Sequence, residues 1–452
     1  MPETSDIQSP GLIQPTGKFP DSLHIVLAGG GTGGHLYPGL AVAQALTQRV
    51  TSGLQLVWAA TPRAVDQRLL KHFGDNYIVQ PVQPLKRNPL HWLEFYRAWR
   101  QTCRYWRNYF TTHRADAVLA LGGYAAGPAA YVAWRMGIAV GLLNPDVLPG
   151  LANRFLMGKV DCIFAQWPMD DAIARKTKSK VQVIGCPIRS QLIGLPREEG
   201  IRRLGLDTRK RTLVVTGASL GARSINETMV ELWNDADFCN ALEIPPPGTD
   251  DSRGEFFGWQ ILLLTGMDQA ATMRAAMETT VHGPFGQKRK NWHLLDYCDD
   301  MAAVWAVADL AIARAGAGTC AELTACGVPS ILMPYPYHRD QHQRANALKL
   351  QECGGAVVVE DTLYAQKNAV ALKRILTPLF HDSQRLHNMA VNARKEGKPG
   401  AAGVVANWLI EQGLKRPINI SCRNVPSGPA PEWGCVERAK ARKPDDDNHD
   451  AL

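Results

Sequence analysis

The chain has 452 residues, a length that suits two domains with separate cores. Hydrophobic residues make up 45% and charged residues 20%, which excludes a chain disordered throughout. The formal net charge of +8 suits an anionic partner (lipid head group, phosphate or nucleic acid) without choosing among them.

The first 22 residues carry Pro2, Pro10, Pro15 and Pro20 among polar neighbours and are expected to form a flexible extension. They lack a charged-then-apolar signal pattern, and no run in the chain is apolar for long enough to cross a bilayer, so a cytoplasmic location is expected. The ten cysteines (Cys103, Cys162, Cys186, Cys239, Cys298, Cys320, Cys326, Cys353, Cys422 and Cys435) form no CxxC pair. Reduced thiols are expected there, rather than a zinc site or a disulfide framework.

A first domain is expected over 23–185. Leu23–Ala28, Leu54–Ala60 and Ala117–Leu121 are nearly continuous apolar runs, the pattern of parallel strands buried on both faces. Helical patterns alternate with them, which is βαβ organisation. The glycines Gly29–Gly34 follow the first run, and the helix after them is expected to start near Leu36–Pro38. Such a loop brings backbone amides close to an oxyanion, and the helix N-terminus adds positive potential, so phosphate or pyrophosphate binding follows. Gly29, Gly31 and Gly34 also satisfy GxGxxG, but Thr61–Pro62 stand where a nicotinamide site needs an acidic residue. His35 closes the loop. A lone histidine is more often structural, yet beside an anion site an imidazole can take a hydroxyl proton.

Within Leu85–Phe110, the residues Trp92, Tyr96, Trp99, Cys103, Trp106 and Phe110 share one helical stripe, flanked by Arg97, Arg100, Arg104 and Arg107. The stripe fits either a core face or a membrane face. Gly122–Pro128 is a second glycine loop after a strand, or a tight turn.

The domains are expected to join near Val183–Ser190, and the strand pattern restarts in a second domain over 186–415. Thr212–Gly217, Gln260–Gly266 and Leu310–Arg314 are its apolar strands, with an insertion within about 236–258. Thr216–Glu227 and Ala313–Pro329 repeat the sequence strand, glycine loop, helix. Asp296–Asp300 reads as a loop and helix start rather than a metal cluster, and 416–452 as a disordered tail. The expected fold is α/β, with two doubly wound Rossmann-like domains facing a cleft at the carboxyl ends of their strands.

The run GGGTGGHLYPGLAVAQAL, Gly29–Leu46, resembles the first glycine loop of the MurG-type family. Gly122–Ile138, Pro149–Leu156, Gly185–Arg189, Asp299–Leu323 and Asp340–Ala347 support the resemblance in the same order, so it covers roughly 23–410. That family has the GT-B fold and transfers N-acetylglucosamine from UDP-GlcNAc to undecaprenyl-pyrophosphoryl-muramoyl-pentapeptide in peptidoglycan synthesis. The resemblance implies an inverting reaction, for which His35 is the best base and no cofactor or metal is required. It places Thr32, His35 and Tyr124 at the acceptor, where Gly33, Gly34 and Asp146 are expected beside them. It places Arg189, Ser219, Cys298, Ala317, Gly318, Thr319, Glu322, His342, Gln343 and Asn346 at the donor, with Arg189 neutralising the diphosphate, Glu322 on the ribose hydroxyls, and Gln343 and Asn346 on the sugar. The last helix is expected to pack back on the first domain. The partners implied are UDP-GlcNAc, the lipid-linked acceptor and an anionic membrane surface, not nucleic acid. The location implied is peripheral, on the cytoplasmic face of the plasma membrane.

Three departures stand out. The family's His-Glu-Gln-Asn is replaced by Leu143-Asn144-Pro145-Asp146, leaving Asp146 as the nearest carboxylate to orient His35. Leu220 replaces a glutamine of the second domain's glycine loop, and His342 replaces the first of two glutamines. Alternatives therefore stay open: a related transferase with another hydrophobic acceptor, a non-catalytic relative, or a nicotinamide-dependent oxidoreductase.

Overall fold

The computed structural model describes residues 22–85, 88, 91–175, 177, 179–217, 221–244, 258–278, 291–337 and 340–415. The expected N-terminal extension and C-terminal tail, with Cys422 and Cys435, lie outside them, as do most of the internal insertion and Ser219 and Leu220.

The first sheet has seven strands: β1 (Leu23–Gly29), β2 (Leu54–Ala60), β3 (Tyr77–Val79), β4 (Ala117–Gly122), β5 (Ala139–Asn144), β6 (Cys162–Ala165) and β7 (Lys180–Val183). Their order is β3-β2-β1-β4-β5-β6-β7, and all pairs are parallel. Every residue of β1 is buried, because alternate side chains enter different layers. Leu23, Ile25 and Leu27 pack with the helix Gly33–Arg49 on one face. Val26 and Ala28 pack with the helices Trp92–Thr112 and Gly127–Arg135 on the other.

The second sheet has six strands: β8 (Arg211–Thr216), β9 (Trp259–Leu264), β10 (Trp292–Leu295), β11 (Ala308–Ala313), β12 (Ser330–Leu332) and β13 (Ala356–Val358). Its order is β10-β9-β8-β11-β12-β13, again parallel. In both sheets the strand order reverses beside a central strand, β1 or β8. Loops leaving the carboxyl ends there diverge and open a crevice.

Two expectations need correction. The first helix starts at Gly33, not near Leu36–Pro38, so Pro38 lies inside it. Proline supplies no N–H to the Gly34 carbonyl, which is tolerable only this close to the helix start. The aromatic stripe divides along its length: Trp106 and Phe110 are core, whereas Trp92 and Tyr96 are more than half exposed. In the N-terminal half Ala98 and Thr102 still face inward and Trp99 packs on Tyr131 and Phe155, while Trp92 and Tyr96 point away from them.

The last helix, Ala401–Leu414, returns to the first domain. Ala402, Val405, Ala406, Leu409 and Ile410 complete the core that Leu23, Ile25 and Leu27 begin. Leu409→Ala, at a fully buried position, is expected to lower stability by about 2–5 kcal/mol. Urea unfolding checks this; a loss below about 1 kcal/mol would mean the helix is not part of that core.

Candidate active site

A buried carboxylate fixes the first glycine loop. Asp66 is fully buried and accepts from the backbone N–H of Gly31 at 2.8 and 3.0 Å, and from the N–H and hydroxyl of Thr61 at 2.8 Å each. Gly30 has to be glycine, since a Cβ there would run into the Asp66 carboxylate. Arg63 donates to the Gly31 carbonyl at 3.0 Å from the other side. The Gly31 amide is thus engaged inside the protein, and Gly33 and Gly34, at the helix start, are the amides left to face the cleft. Sequence reading missed Asp66. The search for an acid at the end of β2 stopped at Thr61, and the carboxylate sits five residues on.

The held loop positions His35. Its Nδ1 lies 3.1 Å from Thr32 Oγ1 and 3.4 Å from the Gly30 carbonyl. A carbonyl only accepts, so a hydrogen bond to Gly30 requires the proton on Nδ1, the tautomer that leaves the Nε2 lone pair free. The ring lies against Gly122 and Gly123, where added Cβ atoms would come within 3.1 and 2.8 Å of it. Both glycines also have positive φ, 106° and 72°, so the second glycine loop is shaped to this imidazole. Burial, the largest influence, pulls the His35 pKa below its usual value; Asp146, the Gly30 carbonyl and Asp66 pull the other way, and His342 across the cleft adds to the lowering. The imidazole is therefore neutral near pH 7. The Tyr124 hydroxyl lies 3.5 Å from where a Gly31 Cβ would be, so Thr32, Gly33, Gly34, His35 and Tyr124 form one cluster.

Asp146 does not orient His35 by a hydrogen bond. Its Oδ1 accepts from Asn346 Nδ2 at 2.8 Å, across the cleft. Asn346 is fully buried; it also donates to the Ala315 carbonyl at 3.2 Å and accepts from the Val147 N–H at 3.0 Å. In this geometry Asn346 ties the two domains together rather than presenting its amide to a sugar. Of the departing segment, Leu143 is core, and Asn144 accepts from Asn153 at 3.1 Å and donates to the Asp146 carbonyl at 3.1 Å.

The donor-side residues assemble on the opposite wall. The helix Ala317–Cys326 begins with Ala317, Gly318 and Thr319 and has no acidic residue in its first turn. A Cβ at Gly316 or Gly318 would meet nothing within 4 Å, so a ligand could approach that backbone. Glu322 accepts from the Trp305 indole at 2.8 Å. Burial pushes its carboxyl above the usual range, against the opposing pull of that hydrogen bond and of Arg189. Arg189 lies over the Tyr37 ring at 5.2 Å and, among the described residues, has no ion-pair partner. Gln343 accepts from the Tyr335 N–H at 3.0 Å, which leaves its amide protons for other use. His342 pairs with Asp340 at 2.7 Å. Cys298 lies in the loop 296–300, where Arg274 pairs with Asp296, Arg203 pairs with Asp300 at 3.0 Å, and Asp300 caps the following helix. Among the described residues, no group of three or more His, Cys, Asp or Glu side chains is set to hold a metal.

Two parallel α/β domains, with glycine loops and helix N-termini turned toward a shared cleft, define the GT-B class. Residues 25–165 match the glycosyltransferase family 28 N-terminal domain, and residues 212–404 match the glycosyltransferase family 28 C-terminal domain. The chain belongs to this glycosyltransferase family, in its MurG-type branch. It is similar to the UDP-N-acetylglucosamine–N-acetylmuramyl-(pentapeptide) pyrophosphoryl-undecaprenol N-acetylglucosamine transferase of Halothermothrix orenii, 32% identical over 87% of this chain and 100% of the relative. The enzyme of that name from Myxococcus xanthus is 30% identical over 86% of this chain and 93% of the relative. The solved structure of Acinetobacter baumannii MurG is 26% identical, with a TM-score of 0.64 over 86% of this chain and 99% of that one.

Proposed function

We propose that this chain transfers N-acetylglucosamine from UDP-GlcNAc to a pyrophosphoryl-undecaprenol-linked N-acetylmuramyl-pentapeptide, with inversion at the anomeric carbon. One arrangement carries the mechanism: His35, its pKa lowered by burial and its Nδ1 beside the Gly30 carbonyl, sits in the first turn of the Gly33–Arg49 helix, close enough to His342 of the other domain to feel its charge. The acceptor hydroxyl gives its proton to His35 as its oxygen bonds to the anomeric carbon, and the bond from that carbon to the diphosphate breaks. Arg189 and the amides of Ala317, Gly318 and Thr319 face the growing negative charge on UDP. Glu322 holds the ribose hydroxyls, and Gln343 has donors for the sugar. No cofactor or metal enters the scheme.

The acceptor's lipid requires a membrane surface, and no helix among the described residues is long and apolar enough to cross one. The first domain offers a face instead. Trp92, Leu93, Tyr96, Trp134, Leu151 and Phe155 are all exposed. Trp99 joins them by edge contact with Phe155 at 5.8 Å. Arg100 lies over Tyr96 at 5.6 Å and Lys159 over Phe155 at 4.1 Å. Aromatic rings with cations at their rim suit the head-group region of an anionic bilayer. We therefore place the protein at the cytoplasmic face of the plasma membrane, attached peripherally.

Steady-state UDP release with a lipid-linked acceptor tests the reaction. The base must be unprotonated, so kcat/KM should rise with pH through the lowered His35 pKa and level off by neutral pH. His35→Ala should lose about 10²–10⁴-fold in kcat and that acid limb with it; a variant of unchanged rate would remove His35 from the mechanism.

Glu322 gives a second pH signature. Ribose hydroxyls donate to the ionised carboxylate, so UDP-GlcNAc affinity should rise as pH climbs through the raised Glu322 pKa. Glu322→Gln should flatten that dependence and bind about ten- to a hundredfold more weakly by calorimetry. Equal binding by both forms at every pH would misplace the donor site.

Replacing Trp92 and Tyr96 together by Ser should cut binding to vesicles containing anionic lipid by about tenfold or more, with rates on a soluble acceptor analogue unchanged. Vesicle sedimentation with undiminished binding would rule this face out.

A further inference from the structure

Four side chains form an alternating ladder across the cleft, away from the His35 pocket. Arg68, from the helix Ala64–Leu70, lies over the Tyr297 ring at 4.8 Å. The Tyr297 hydroxyl meets the Tyr37 hydroxyl at 3.0 Å, and Arg189 lies over the Tyr37 ring at 5.2 Å. Tyr37 belongs to the helix Gly33–Arg49, two residues beyond His35. Tyr297 belongs to the loop between β10 and the helix Met301–Val307, beside Cys298. Every rung thus joins a residue of the first domain to one of the second domain or of the segment between them.

We propose that Tyr37 is a positioning residue with two separable tasks: its ring holds the Arg189 guanidinium toward the donor diphosphate, and its hydroxyl latches to Tyr297 to hold the cleft closed during transfer. The proposal rests on the reading of Arg189 given above. Arg189 feels the charges of Glu322 and Asp300 but makes no contact ion pair among the described residues, so the face of Tyr37 is its direct support, and a cation on a ring keeps its N–H groups available around the rim. In the hydroxyl pair one phenol donates and the other accepts. Burial, and then the Tyr297 hydroxyl, push the Tyr37 pKa upward, so Tyr37 keeps its phenolic proton at working pH. The latch ties the base-bearing helix to the donor-side loop, and transfer needs both walls at contact distance.

The hydroxyl and the ring can be removed separately. Tyr37→Phe and Tyr297→Phe keep both rings and delete the latch. Each should leave the affinity for UDP unchanged and lower kcat about three- to tenfold, and the double variant should be no slower than either single one. Tyr37→Leu also removes the ring. It should weaken UDP about three- to tenfold while uridine, which has no phosphate, binds within twofold of the parent. In an Arg189→Ala background, Tyr37→Leu should have no further effect on UDP. Calorimetry with UDP and with uridine, steady-state kinetics and melting temperatures read these out. Weakening of uridine as large as that of UDP would make Tyr37 a merely structural residue and overturn the ring's role. Rate losses that multiply in the double Phe variant, or no rate loss, would overturn the latch. If Arg189→Ala itself leaves the ratio of UDP to uridine affinity unchanged, Arg189 is not the diphosphate group and the ring's role falls with it; the hydroxyl cycle still decides the latch.

Discussion

Each domain must hold a glycine-rich loop open at the end of a buried strand, and each does so with a buried carboxylate. Glycine gives these loops freedom to approach a ligand but nothing to fix them. In the first domain Asp66 gathers the Gly31 amide and both donors of Thr61. In the second, Asp361 is 3% exposed and pairs with Arg314 at 2.7 Å, while Ser224 donates to it at 2.6 Å. Arg314 leads directly into Ala315–Gly316 and the start of the Ala317–Cys326 helix, and Ser224 lies in the first turn of the helix Arg223–Asn234. A carboxylate this deep is tolerable only when its oxygens are filled by donors, so the loop amides and the Arg314 guanidinium are part of what makes the burial possible. Loop shape and carboxylate burial are therefore one condition, and the position of His35 depends on it.

The cleft has a comparable tie in its floor. Asn346 joins the Ala315 carbonyl of the donor loop to Asp146 and the Val147 amide of the acceptor domain. An amide with all this capacity used inside the protein reads domain closure more directly than it reads a sugar. This also explains the departure at Leu143–Asp146. Leu143 fills the core, Asn144 braces the loop against Asn153, and Asp146 offers Asn346 a charged acceptor, which makes a stronger hydrogen bond than a neutral one.

What was legible in the sequence was what local pattern encodes. The continuous apolar runs Leu23–Ala28, Leu54–Ala60 and Ala117–Leu121 are strands because a residue buried on either face leaves no polar alternation. Of the strands of three or four residues, β3, β6, β7, β10 and β13 are too short to show a period against their surroundings. The Thr32, His35 and Tyr124 cluster was readable only through the family resemblance carried by Gly29–Leu46 and Gly122–Ile138; the glycine loops by themselves left a tight turn open at Gly122–Pro128. The polar ties were not. Tyr37 and Tyr297 are 260 positions apart, Asp146 and Asn346 are 200 apart, and neither pair has a spacing to betray it. Asp66 was missed for a different reason: it faces inward from a helix, where periodicity leads one to expect an apolar residue.

The proposed chemistry needs particular charges on each wall: carboxylates that His35 feels and a cation for the diphosphate. As transfer proceeds, positive charge accumulates on His35 and negative charge on the departing diphosphate. Burial alone makes a protonated His35 unfavourable, which keeps it a free base before reaction but opposes the step itself. Asp146 and Asp66 both act in the other direction, so the acceptor wall is most favourable to His35 at the moment it takes the proton. The donor wall has no acidic residue in the first turn of the Ala317–Cys326 helix and turns Arg189 toward the cleft beside Tyr37. With the solvent largely displaced, these fixed charges would act at short range and low screening, where each is worth more than in water. In the proposed scheme closure serves more than contact: it brings Asp146 and Asp66 to the His35 end of the exchange and Arg189 to the diphosphate end, so that the charge moving between them is met at both ends.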